Sequence, residues 1–122
     1  SDLRALFESS LYSTKTIYDA TLKKDVALEL GYKDTTSYFG VYINKPNNWI
    51  ARIAIDTKST WIAFNLNEPR FSELLPSSFT RLEASSLGEC RCAISNPDDL
   101  NGLTRIFYAS LDQLIEDKKN NN

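Results

Sequence analysis

The stretch TSYFGVYINKPNNWIARIAIDTKSTWIAFNL, residues 36–66, decides the fold. Its β-branched and aromatic residues gather in three runs, 37–44, 49–55 and 60–66, the composition of half-buried strands. Lys45-Pro46-Asn47-Asn48 and Asp56-Thr57-Lys58-Ser59 part the runs. Both are of hairpin length and rich in turn formers, so the runs predict an antiparallel meander. Side chains alternate across a strand. Phe39, Val41 and Ile43 therefore share one face; Trp49, Ala51, Ile53 and Ile55 alternate with Ile50, Arg52 and Ala54, and Ile62, Phe64 and Leu66 with Trp61, Ala63 and Asn65.

Upstream, Leu3, Leu6, Phe7 and Leu11, then Ile17, Leu22, Val26 and Leu30, fall at roughly helical spacing, so residues 1–30 read as helical and Gly31 as the stop. Downstream, Pro69 and Pro76 mark 67–78 as a loop with one short helical turn, and 79–83 and 89–94 read as fourth and fifth strands. The last element is a helix over 96–117: Ser95 or Asn96 caps it, Pro97 opens it, and Asp98 and Asp99 face the positive end of its dipole. Residues 118–122 form a disordered tail. The expectation is a single α+β domain spanning 1–122, with an antiparallel sheet of four or five strands (36–94) and N-terminal helices and a long C-terminal helix packed on it.

With 122 residues the chain can hold one core without metal or disulfide. No apolar run approaches the roughly 18–20 residues a membrane helix needs, and the start carries no signal-peptide pattern. No membrane contact and a cytoplasmic location are expected. Ser1-Asp2-Leu3 at one end and Lys118-Lys119-Asn120-Asn121-Asn122 at the other suggest the C-terminal part of a longer protein. The chain contains no His. That removes Ser-His-Asp and Cys-His nucleophilic pairs and the usual zinc ligands. Cys90 and Cys92, one residue apart, read as two small core residues on one strand face.

Three readings of function follow from the residues. Tyr38, Tyr42, Arg52, Trp61 and Arg91 fall on the face opposite the core, with Ile50, Asn65 and Glu89 beside them. Rings interleaved with cations on an open sheet are what single-stranded DNA and RNA binders use. Against it stand a net charge of −2 and a pI near 5.1, although residues 31–95 are nearly balanced: Lys33, Lys45, Arg52, Lys58, Arg70, Arg81 and Arg91 against Asp34, Asp56, Glu68, Glu73, Glu83 and Glu89. The second reading is a small Mg²⁺-dependent nuclease using Asp34, Asp56 and Lys58, because an Asp-x-Lys pair can hold the metal and position a water; the same residues also suit a plain turn. The third is a protein-interaction or dimerisation domain without nucleic-acid affinity, with Arg70, Phe71, Leu74 and Leu75 as a contact loop or as part of the core rim.

Gly31-Tyr32-Lys33-Asp34-Thr35-Thr36-Ser37-Tyr38-Phe39-Gly40-Val41, followed by Trp49-Ile50-Ala51-Arg52-Ile53, resembles the small C-terminal accessory domain of predicted restriction-endonuclease-like proteins. Their nuclease part is similar to the N-terminal region of type I restriction R subunits. Residues 15–66 and 95–116 follow that order, whereas 67–94 insert a proline-containing loop and further strands. The nuclease residues of such proteins lie upstream, so the resemblance implies no catalytic residue here; no bound cofactor is expected, except Mg²⁺ under the nuclease reading. It implies a role in DNA restriction or defence: contacting nucleic acid, or assembling with an upstream nuclease domain or another protein.

Overall fold

The computed structural model describes residues 2–55 and 59–120. The meander forms β4 (Phe39–Ile43), β5 (Trp49–Ile55) and β6 (Thr60–Phe64). Around it close β3 (Leu30–Asp34), β8 (Cys90–Ala93) and β7 (Arg81–Leu82), giving six antiparallel strands in the order β3-β4-β5-β6-β8-β7. β1 (Thr16–Asp19) and β2 (Lys24–Ala27) make a separate two-stranded ribbon. Helices α1 (Asp2–Glu8), α2 (Arg70–Leu74) and α3 (Thr104–Asn120) complete the α+β fold.

The sheet has six strands rather than four or five, and the correction lies mainly in the N-terminal quarter. Helix there is confined to α1 and a 3₁₀ turn, Leu11–Thr14. Ile17 and Val26, assigned to one helical stripe, are instead directly opposite each other in the ribbon. Leu22, the residue between them in that stripe, is exposed. The reversal is set locally: the Asp19 carboxylate accepts from the Thr21 and Leu22 amides at 2.8 and 3.1 Å, and Lys23 takes a left-handed φ of 56°. Such Asx-type turns compete directly with helix. Gly31 ends no helix; it pairs with Tyr42 across β3 and β4, where an added Cβ would lie 2.5 Å from the Tyr42 ring.

The closing helix also differs from the expected 96–117. Asn96 does cap it, its side chain accepting from the Asp98 amide at 2.9 Å while the Asp99 carboxylate accepts from the Ser95 and Asn96 amides. Residues Pro97–Leu103 are nonetheless 3₁₀, and the α-helix starts only at Thr104. Asn101 and Gly102 are poor helix formers, and the Phe79 ring occupies the space beside Gly102. The helix runs to Asn120, so Lys118 and Lys119 belong to its last turn rather than to a tail.

One face of the sheet packs on the helices. Val41, Ile43, Ile50, Ile62, Phe64, Cys90 and Cys92 meet Leu103, Ile106, Phe107, Leu111 and Leu114, with Leu3 and Phe7 of α1 in the same core. The two cysteines are free and buried. Burial, with the Glu68 carboxylate near Cys90 and Asp99 near Cys92 as smaller causes, raises each thiol from 9.0 to about 11. The 67–78 loop is likewise tied to this core. Phe71 is fully buried, Arg81 stacks on its ring and pairs with Glu68 at 3.2 Å, and Ser72 donates to Glu68.

Candidate nucleic-acid interface

Among the described residues, no helix residue lies in the apolar cluster on the opposite face of the sheet, which is built from Ala54, Trp61 and Ala63 with Tyr38, Trp49, Leu82 and Leu87 against them. Its layout depends on an irregularity in β5. Val41 pairs with Ala51 and Tyr42 with Trp49, so Ile50 is an extra residue between two consecutive pairs. A bulge of this kind shifts the alternation by one. Ile50 and Ala51 therefore both reach the core. Trp49 and Arg52, three apart in sequence, share the outer face, so the sequence-based placement of Ile50 there and of Trp49 in the core is reversed.

Arg52 is the centre of this face. Its guanidinium carbon stands 4.1 Å from the centroid of Trp49 and 4.9 Å from that of Tyr38, and Nη1 donates to the Leu87 carbonyl at 2.9 Å. Stacking of this kind holds the cation in a fixed place. Arg52 Nε is buried and has no hydrogen-bond partner.

The five residues expected to act together divide into two sets. Trp61 is only 8% exposed. Arg91 lies over its ring at 4.8 Å and is held there by donating from Nε to the Glu83 carbonyl at 2.9 Å. The tight turn closed by reciprocal bonds between Ser85 and Gly88 seats Gly88 directly on Ala63, leaving no room for a Cβ. The 83–88 connection thus lies over Ala63, beside the edge of Trp49 and on the flank of Arg52. Trp61, beneath Arg91, presents no free ring face to a ligand.

Tyr38, Tyr42 and Arg52 instead border an open groove of about 350 Å³, together with Lys33, Gly40, Val41, Pro46, Asn47 and Trp49. Gly40 is its floor. In register it lies between Lys33 of β3 and Arg52 of β5, while Tyr42 stands opposite Trp49. Gly40 has no side chain, and the edge of the Tyr38 ring lies over it, where an added Cβ would meet it at 3.2 Å. Lys33 and Asn47 are exposed at its margin, and Tyr42 and Trp49 are half-buried. Alternation alone hides Lys33, Trp49 and Asn47 from the reading of this site. The available signal was Gly40, since a glycine inside a strand marks a place where something approaches the backbone closely.

The residues of the nuclease reading are not assembled by anything described. Asp34 ends β3, exposed, beside the Thr35 turn, while Asp56 and Lys58 lie outside the described residues. Among the described residues no group of three or more His, Cys, Asp or Glu could hold a metal ion, and no helix is long and apolar enough to cross a membrane.

No protein-family model, curated protein or solved structure matches the chain.

Proposed function

We propose that this domain is a non-catalytic accessory module that contacts nucleic acid through the groove on its outer sheet face, within a restriction or DNA-defence protein. The observation that carries the reading is the groove itself: Tyr42 and Trp49, both half-buried, border it with Tyr38 and Gly40, with Lys33 at the margin and Arg52 fixed behind. Aromatic surface next to positive charge meets the two parts of a nucleotide, the base and the phosphate. The accessory role and the defence setting are supported by the resemblance of residues 31–53 to accessory domains of restriction-endonuclease-like proteins.

Fluorescence-anisotropy titration of labelled DNA and RNA with the whole chain, with and without Mg²⁺, tests the reading. Binding that weakens as salt rises, without cleavage, is the expected result, because phosphate contacts release counterions. Mg²⁺-dependent cleavage abolished by Asp56→Ala would instead establish the nuclease. No binding, with a mass that grows with protein concentration, would establish a dimerisation domain.

A further inference from the structure

We infer that the groove over Gly40 receives a single unpaired base, which makes the domain selective for single-stranded over duplex nucleic acid. The inference rests on the nucleic-acid reading and adds the form of the ligand.

The size of the hollow sets the first limit. About 350 Å³ lies at the small end of ligand pockets, which run from about 300 to 1,000 Å³, so it suits one nucleotide and not a length of helix. The character of its walls sets the second. In a duplex both faces of every base are already stacked, and only a splayed-out base can offer a face to an aromatic side chain. Tyr42 is well placed for that contact. Its ring lies against Gly31, where even a Cβ would collide with it at 2.5 Å, so the neighbouring strand holds it in position before any ligand arrives. Trp49, opposite Tyr42 in the register, has one face partnered by Arg52 at 4.1 Å. The exposed Asn47 amide carries both donors and an acceptor for a base edge. Lys33, across the strand pair from Gly40 and exposed, is a cation that can follow the phosphate.

Gly40 provides the test because filling it removes the hollow and no charge. It has no positive φ, so a β-branched residue suits its strand conformation. A Cβ there meets the edge of the Tyr38 ring at 3.2 Å, so the ring must shift by a few tenths of an ångström to admit it. The experiment compares a labelled oligothymidylate with a duplex of equal length, on the wild-type chain and on Gly40→Val, and follows tryptophan fluorescence in the same titrations.

The expected result is at least tenfold tighter binding of the single strand, quenching of Trp49, and a Gly40→Val protein whose single-strand affinity falls to the duplex level. Trp61 is buried, so quenching reads Trp49. Equal affinity for both forms, unaltered in Gly40→Val, would overturn the inference and leave the nucleic-acid reading standing. Absence of binding to either form would overturn both. Should Gly40→Val fail to fold by circular dichroism, wild-type quenching and Tyr42→Leu decide: no quenching by bound single strand, or no loss of single-strand preference in Tyr42→Leu, also overturns it.

Discussion

Trp61 and Trp49 are both tryptophans on one sheet face, and their surroundings give them different work. Trp61 is buried beneath Arg91 and belongs to a small second core. Trp61→Ala is expected to cost about 3–5 kcal/mol, the usual range for emptying such a site; a urea unfolding curve unchanged from wild type would show that the cover is loose. The cysteines behave as residues of the main core. With both thiols raised from 9.0 to about 11, alkylation by iodoacetamide at pH 8 should be negligible until the chain is unfolded. The unfolded thiols ionise first as pH rises, so their contribution to stability is intact below about pH 9 and is lost progressively between about 9 and 11. Denaturation midpoints across that range check the direction. At this scale the outer-face placement of Tyr38 and Tyr42 and the burial of the cysteines were legible from alternation alone. The burial of Trp61 was not, because it depends on Arg91, held by the Glu83 carbonyl, lying over its ring.

Among elements, the meander was legible because β-branched and aromatic residues, polar turns and period-two alternation all agree over 36–66. The ribbon of β1 and β2 was not. Ile17, Val26 and Leu30 fall close enough to helical spacing to imitate a stripe, and the deciding feature is the Asp19 turn rather than the apolar pattern. The bulge at Ile50 is the costliest omission for the site, since a single extra residue exchanges Trp49 and Ile50 between faces. Nothing in the local sequence announces it. The cap of the closing helix was legible, and its value can be measured: Asn96→Ala removes the side chain that accepts from Asp98 and should cost about 1 kcal/mol. An unaltered melting temperature would mean that Asp99 alone orders the 3₁₀ entry.

For the whole molecule, the helices lie on one side of the sheet and leave the other to a short cover and a groove. The net charge of −2 argues against a surface that grips a long stretch of backbone. It is compatible with a site where one or two cations meet phosphate. Two phosphate contacts on a single strand give a slope of log affinity against log salt of about −1.4, far below that of extensive binders. Lys33→Gln should bring the slope to about −0.7, and anisotropy titrations over a range of salt read it directly. A wild-type slope several times steeper would place the contact on a larger basic surface than this groove.

The location of the contact is the central claim, and backbone amide chemical-shift mapping of the labelled chain with a single-stranded oligonucleotide tests it most directly. The shifts should concentrate at Lys33, Gly40, Tyr42, Asn47 and Trp49, with α3 unmoved. Shifts gathered on α3 or on the β1–β2 ribbon, or none at saturating oligonucleotide, would contradict the account.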